Sequence, residues 1–367
     1  MDPELQYKIA LSMLPGIGGV LARNLRAYTG SPEEIFKTPV QSLMKIPGIG
    51  EANARRIKKS DVLSKAEKEI EFMQKNSIDA YFYTDAGFPR RLKTCVDAPV
   101  LIYTKGNMNL DEQRVISIVG TRNATEYGRQ VIDDLLKSFS ERAYKILIVS
   151  GLAYGIDIQA HRCALKYEHP TVGVIAHGMD KLYPALHSET AKKMQENGGL
   201  LSDFPSGTKI DPQNFIKRNR IIAGLADATI VVESAEKGGA LITADIASSY
   251  NRDVFAFPGR SGDTYSVGCN QLIRNNGADL ILGVDDLEFF MGWEREEGKQ
   301  AVQSSLFIEL NENEQKVVDL LQKEGELFID QISALVELPV SRVSAMMLTL
   351  EFKNVITALP GKMYRLR

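Results

Sequence analysis

Cysteine is scarce. Three occur in 367 residues, Cys95, Cys163 and Cys269, and an odd number at wide spacing excludes a disulfide framework and a clustered zinc site. Core thiols are the expectation. Histidine is scarce too: the four, His161, His169, His177 and His187, have no evident nucleophile beside them, and each is expected as a core or surface imidazole. HExxH, CxxC and ExxH are all missing, so no metal and no cofactor is implied. GTRNATEYG lacks the GxGxxG dinucleotide pattern, and no GxxxxGK[ST] loop occurs. Long apolar runs are also missing: none approaches the roughly 18 residues of a membrane span. The first residues, MDPELQYKIALSML, are acidic where a secretory leader is basic. A cytoplasmic protein with no membrane partner is expected. Net charge is small, −3 from 44 Lys+Arg, 47 Asp+Glu and neutral histidines. It is unevenly spread: residues 1–60 hold nine basic against five acidic side chains, and 284–310 hold two against seven. Nucleic-acid contact outside the first segment must therefore rest on local clusters.

What is present begins with a repeat. LPGIGGVLARNL (Leu14 to Leu25) matches IPGIGEANARRI (Ile46 to Ile57) at an offset of 32. In each copy a helix ends at an apolar residue, Pro-Gly-Ile-Gly turns tightly, and a second helix starts with Ala22 or Ala54 packed inside. This looks like a tandem helix-hairpin-helix, whose glycine turns can offer backbone N–H groups to a phosphate without reading sequence. Gly48, Gly50, Arg55 and Lys58 of the second copy are the candidate contacts. A purely structural or protein-docking hairpin pair is the alternative.

From about residue 79 the pattern changes to short apolar runs at 115–120, 145–151, 171–178, 199–204, 228–233 and 253–259, separated by amphipathic stretches. Nearly continuous Val, Ile, Leu and Ala suit parallel strands covered on both faces, hence an α/β, Rossmann-like doubly wound sheet. Ligands of such sheets gather at the carboxyl ends of the strands. Small residues recur there: Gly120-Thr121-Arg122, Ser150-Gly151-Leu152-Ala153, His177-Gly178, and Gly238-Gly239 after Glu233-Ser234. They suit a backbone cradle for phosphate, with Arg122 and the cluster from Lys217 to Arg220 supplying charge.

IVGTR, SGLAYGIDIQAH, NFIKRNRIIAGLADATIVVES, KGGALITA, FAFPG and GCNQLIRNNGA, in this order over about residues 80–285, resemble the DNA-processing protein A family, DprA or Smf. The resemblance implies a non-enzymatic, homodimeric protein that binds single-stranded DNA, protects incoming strands and loads the RecA recombinase in natural transformation. The DNA-binding residues it implies are Gly120, Thr121, Arg122, Ser150, Gly151, Ala153, Lys181, Phe215, Lys217, Arg218, Asn219, Arg220, Gly238 and Gly239. Tyr154, Tyr183 and Phe215 could stack on bases. On a helix Lys217 and Arg220 share a face, while Arg218 points about 100° away and is free for an acid or a neighbouring subunit. One departure stands out: the Gly-Ser-Gly-Ser often found before LITA is Lys-Gly-Gly-Ala at 237–240, which leaves backbone contacts there but removes two hydroxyls.

The expected division is a helical domain over 1–78, the sheet domain over 79–290, a linker over 291–310, and a winged helix over 311–367 from three helices and a hairpin. Leu287, Phe289, Phe290 and Trp293 are expected to pack on the sheet. The winged helix offers only Arg342 and Lys353 on its third helix, so it reads as a protein-interaction or regulatory module. The rival function is a nucleotide phosphoribohydrolase of the lysine-decarboxylase-like kind, with Glu233 near the relevant strand end, although its PGGxGTxxE loop is missing. A transcription regulator reading DNA through the winged helix would leave the sheet pocket unexplained.

Overall fold

The computed structural model describes residues 3–142, 144–293, 310–353, 355–359 and 363–366. The chain forms two compact units, Met1–Gly298 and Lys299–Arg367.

The first unit begins with helices α1 (Pro3–Ser12), α2 (Gly19–Thr29), α3 (Pro32–Lys37), α4 (Val40–Leu43), α5 (Glu51–Lys59) and α6 (Val62–Asn76). The two Pro-Gly-Ile-Gly turns open α2 and α5. Gly16 and Gly48 take φ of 76° and 82°, a left-handed region that costs a residue with a Cβ about 1 kcal/mol or more. Gly18 and Gly50 then serve as extended N-caps. Leu14, Ile17, Ala22 and Leu25 of the first copy and Ile46, Ile49, Ala54 and Ile57 of the second are buried in one cluster. The repeat is thus a repeat of core positions as well as of turns.

That same cluster takes in Phe82, Val100, Leu101 and Tyr103, so the helices are packed on the edge of the sheet. Polar ties reinforce the apolar contact. Lys8 Nζ lies 2.8 Å from Asp85, Arg23 donates to Val96 O and Ala98 O at 3.0 and 2.9 Å, and Glu69 accepts from Ser206 N at 2.9 Å.

The sheet has nine strands: β1 (Asp79–Phe82), β2 (Leu101–Lys105), β3 (Val115–Val119), β4 (Leu147–Ser150), β5 (Thr171–Val174), β6 (Gly198–Ser202), β7 (Ala228–Val231), β8 (Asp253–Ala256) and β9 (Asp279–Leu280), in the order β1-β2-β6-β5-β4-β3-β7-β8-β9. From β6 to β9 every neighbouring pair is parallel. The six expected strands are all there. The edge pair β1 and β2 is antiparallel and was not expected, because DAYF and LIYTK are runs of only four and five residues. Helices α7 (Arg90–Lys93), α8 (Glu126–Ser140), α9 (Ile156–Lys166), α10 (Ser188–Met194), α11 (Pro212–Leu225), α12 (Gly239–Ser249), α13 (Val267–Arg274) and α14 (Val284–Met291) complete the unit. Alternation along β3 shows why both faces must be covered. Val115 and Val119 pack with Ile221 and Ala244, whereas Ile116 and Ile118 pack with Ile132, Leu136 and Ala160.

From β3 the chain runs outward through β4, β5 and β6, then returns to place β7 on the other side of β3. Loops leaving β3 and β7 therefore part in opposite directions, which opens a crevice at the carboxyl ends of those strands.

One expectation about apolar residues needs correction. Leu287 is buried, Trp293 packs edge-on to Tyr144, and the Phe290 ring lies 5.7 Å from that of Phe255 on β8, but Phe289 is 81% exposed. The helical period decides it: Val284 and Leu287 turn α14 inward, and 289 falls on its outer side. In the second unit, α15 (Glu312–Glu324), β10 (Leu327–Phe328), α16 (Ile329–Leu335), α17 (Val340–Phe352), β11 (Ile356–Leu359) and β12 (Met363–Leu366) give the winged-helix pattern. Within SAMMLTLEF, Met347 and Leu350 are core while Leu348 and Phe352 are exposed. Lys353 is held by Glu314 at 2.9 Å and offers no unengaged charge. Most of the expected linker, 294–309, lies outside the described residues.

Candidate nucleic-acid interface

At the carboxyl ends of β3, β4 and β7 lies a crevice of about 590 Å³. Of the expected residues, Gly120, Thr121, Arg122, Ala153, Phe215, Arg218, Asn219, Gly238 and Gly239 line it. Ser150, Gly151, Lys181, Lys217 and Arg220 are not among its lining.

The reasons for the small residues differ from one to the next. A Cβ on Gly120 would stand 2.4 Å from Ile156 Cγ1, and one on Gly151 would stand 2.5 Å from Arg218 Nη1 and 2.6 Å from Asp157 Oδ2. Both glycines answer to intramolecular packing. Ser150 is buried and donates to Ile118 O at 2.6 Å, so its hydroxyl serves the sheet. Gly239 is different: a Cβ there would meet nothing within 4 Å. With Gly238 it opens α12, whose N-terminus has no side-chain cap. The first N–H groups of that helix have no partner within it and carry the positive end of its dipole into the crevice.

Arg122 is exposed, and its guanidinium sits 5.8 Å from the centroid of the Phe215 ring. No ion pair engages it among the described residues. Lys237, just before the two glycines, is a second exposed cation at the rim. It was not in the expected set, although a basic residue directly before Gly-Gly at a helix start was there to be read. Tyr183 also lines the crevice, with its ring 5.9 Å from that of Phe215. Tyr154 is exposed and packs on His187 instead.

Arg218 points away from the face of Lys217 and Arg220 and lies beside an acid, as expected. It is 4% exposed, and Nη1 donates to Gly151 O at 2.6 Å and to Val174 O. This cation braces α11 against the ends of β4 and β5, beside the buried carboxyl of Asp157. Burial pushes Asp157 above the usual carboxylate range while Arg218 pulls it back. Burial, with a smaller push from Arg122, lowers Arg218 to about 10. Its Nε has no hydrogen-bond partner.

Lys217 and Arg220 do share a face, as expected, but it is the face of α11 away from the crevice. Arg220 Nη2 lies 2.5 Å from Asp203 Oδ2, and Lys217 is exposed beside it. Lys181 stands 3.5 Å from Asp180. On the second hairpin, Arg55 pairs with Glu51 and Lys58 donates to Phe36 O. Arg56 reaches across to Pro15 O at 3.1 Å and so caps the first hairpin turn.

Glu233 is 2% exposed and accepts from Thr125 N at 2.9 Å as well as from the Thr125 hydroxyl. It anchors the start of α8. The four histidines are buried, bonded to Thr171, Leu136 O, Gly178 O and Leu152 O respectively. The three cysteines are free and buried, with burial raising Cys163 and Cys269 to about 12. Among the described residues no group of three His, Cys, Asp or Glu could hold a metal.

Comparison with known proteins gives three family models in chain order. A SAM-like helix-hairpin-helix tandem matches residues 8–60, DNA recombination-mediator protein A matches 79–291, and a DprA winged helix domain matches 307–362. A putative DNA processing protein DprA of Mycobacterium tuberculosis is 37% identical over 255 residues, 69% of this chain and 65% of that protein. The chain therefore matches somewhat under two thirds of that relative's length. DNA processing protein A of Streptococcus pneumoniae superposes with a TM-score of 0.67 at 29% identity, covering 77% of this chain and 96% of that one. DNA processing protein A of Helicobacter pylori, described for its single-stranded DNA binding mode, superposes with a TM-score of 0.53 at 25% identity, covering 59% and 97%.

Proposed function

The chain belongs to the DNA recombination-mediator protein A family, and from that premise we propose that it binds single-stranded DNA in the crevice and acts as a recombination mediator without catalysing a reaction. In this reading it protects incoming strands in the cytoplasm and loads RecA during natural transformation. The observation that carries it is the crevice: the uncapped start of α12 at Gly238 and Gly239 faces the exposed Arg122 and Lys237. Backbone N–H groups and mobile cations suit phosphate oxygens, and they read no sequence. Phe215 and Tyr183 between them supply a π-face for a base, on the order of 1 to 3 kcal/mol whatever its identity. Ser150, Gly151 and Arg218 act in this account by shaping the loops. Lys217 and Arg220, with Lys181 and the hairpin residues Gly48, Gly50, Arg55 and Lys58, are secondary contacts for a strand leaving the crevice. In the same reading the chain divides near residues 78, 290 and 310.

Geometry supports the preference for single strands. A concave crevice admits a flexible strand, whereas a duplex with a persistence length of about 50 nm bends into it only at a large elastic cost. Competition tests this. Labelled oligothymidylate is challenged with mixed-sequence single strand or with blunt duplex of equal nucleotide count. Single strand is expected to displace the label at least about tenfold better, and equal displacement by duplex would remove the crevice from the centre of the mechanism.

Self-association belongs to the same reading. Leu282 and Phe289 are 73% and 81% exposed, an apolar pair suited to a second copy of the chain. Sedimentation of the full chain is expected to give a dimer at micromolar concentration and Phe289→Ser a monomer. A monomeric wild type would argue against it.

A further inference from the structure

A second cavity, of about 670 Å³, lies between the helical repeat and the sheet, on the side of α11 opposite the crevice. The segment that leads from β6 into α11 contributes to both: Pro205, Ser206 and Gly207 line the second cavity, while Ile210, Pro212 and Phe215 line the crevice. Its middle is a tight turn. Pro205 O accepts from Thr208 N at 3.3 Å and from the Thr208 hydroxyl at 2.7 Å, and Gly207 is left-handed with φ of 76°.

This turn is clamped from two sides. From α6, both carboxylate oxygens of Glu69 accept from Ser206 N, at 2.9 and 3.1 Å, and Oε2 also accepts from the Ser206 hydroxyl. From the loop after β5, Asp180 Oδ1 accepts from Gly207 N at 3.0 Å. That loop lies so close that a Cβ on Gly178 would stand 2.7 Å from Ser206 Cα. Glu69 is 5% exposed, and among the described residues no Lys or Arg nitrogen lies at ion-pair distance from it. A buried carboxylate without a counter-ion is destabilising unless hydrogen bonds satisfy it, and among the described residues all of those on Glu69 come from Ser206. An apolar side chain would pack α6 on the turn without that penalty. What the carboxylate adds is direction, because charge-assisted bonds converging on one residue fix where that residue sits.

The position matters through what the turn joins. The loop after β5 continues to Tyr183, which lines the crevice. Beyond the turn Asp211 caps α11, accepting from Gln213 N at 2.8 Å, and Phe215 lies in the first turn of that helix. The two rings meet with centroids 5.9 Å apart, at 70°. Residues 205–208 thus pin together the two segments that carry the rings. We propose that Glu69 is a positioning residue for strand binding: through Ser206 it fixes the turn that sets the Tyr183–Phe215 pair, and the helical module strengthens base stacking in the crevice without touching the strand. This role rests on the reading of the crevice as the single-strand site.

A double-mutant cycle on the full chain tests it, with labelled oligothymidylate as the probe. Phe215→Ala is expected to bind about fivefold more weakly, the low end of what one stacked base contributes. Glu69→Ala should weaken binding about threefold in the wild-type background and less than about 1.5-fold once Phe215 is alanine, because residues that act through one another are not additive. The slope of log affinity against log salt should match wild type, since no phosphate contact is lost. Glu69→Gln keeps an acceptor for Ser206 N and should lose less than Glu69→Ala. If circular dichroism shows Glu69→Ala unfolded, Ser206→Ala replaces it in the cycle; it removes the hydroxyl tie alone and should lose about twofold, again only while Phe215 is present. Additive losses, wild-type affinity in Glu69→Ala, a Glu69→Gln as weak as Glu69→Ala, or a flattened salt slope would overturn the positioning role and leave the crevice standing. A silent Phe215→Ala would instead take away the stacking face of the crevice and the role of Glu69 with it.

Discussion

Helix α11 separates two cavities that its sequence alone would merge. KRNR supplies three cations in four positions, yet the helical period sends Asn219 to the crevice, turns Arg218 into the core beside Asp157, and leaves Lys217 and Arg220 on the opposite side with Asp203. On the crevice side the inward cation is consumed in holding loops together, and the exposed charge comes from Arg122 and Lys237 on other elements. On the far side a cation is paired and its partner carboxylate is left with one oxygen unsatisfied. A cluster of like charges therefore says where a helix is rich in cations, and the buried partners of each position say which of them remain for a ligand.

The contrast between Arg218 and its neighbours is the largest effect to test. Arg218→Ala leaves Asp157 buried without its counter-charge and two loop carbonyls without a donor, at a cost of about 3 to 5 kcal/mol, read as a fall in the urea midpoint followed by circular dichroism. Lys217→Ala is exposed and should leave that midpoint unchanged. If the two variants unfold alike, the division of the helix into structural and ligand-facing cations is wrong.

Next in size is Arg122→Ala. It should keep the wild-type midpoint but weaken oligothymidylate binding about tenfold, and the slope of log affinity against log salt should flatten by roughly 0.7 for one lost contact. An unchanged slope over a salt series would move the principal contact away from Arg122.

Acid titration adds a further test, because α9 buries His161 in the core of the same unit. Burial, then the charges of His187 and Arg218, hold it down to about 3 from an ordinary 6.5. The unfolded chain thus takes up a proton that the folded chain refuses. Stability present above pH 6.5 is lost as pH falls from there towards 3, with a slope reaching about 1.4 kcal/mol per pH unit. His161→Gln should flatten the urea midpoint between pH 7 and 5 relative to wild type. A variant with the same acid slope would assign the proton uptake elsewhere.

Smallest is the second hairpin. Lys58→Ala and Arg55→Ala remove exposed side chains engaged with Phe36 O and Glu51, so each should change stability by about 0.5 kcal/mol or less. Each should also change strand affinity less than Arg122→Ala does. A loss equal to that of Arg122→Ala would make the repeat a principal DNA contact.

Much of this architecture was legible in the residues. Parallel strands announce themselves as runs of Val and Ile, and the Pro-Gly-Ile-Gly repeat announces its own turns, since both are properties of consecutive residues. Edge strands β1 and β2 were not, because four or five residues covered by a helical module look like loop until the module is in place. The crevice was legible as a string of strand-end glycines, but the reason for each glycine was not. Gly120 and Gly151 yield to Ile156 and Arg218, residues 36 and 67 positions later in the sequence, and no local pattern records such a neighbour. The orphaned oxygen of Asp203 is a tertiary fact for the same reason.

The protein contains one tryptophan, and the structure places it at the end of α14 against the ring of Tyr144, with the Arg114 guanidinium 5.8 Å from its own ring. Its emission is therefore a private channel for the first unit. A blue-shifted, partly quenched spectrum should redden when that unit melts and stay silent when residues 310–366 melt alone. Far-ultraviolet ellipticity records both. Superimposing the two signals on one thermal ramp would report, without any label or truncation, whether the chain comes apart in one step or two.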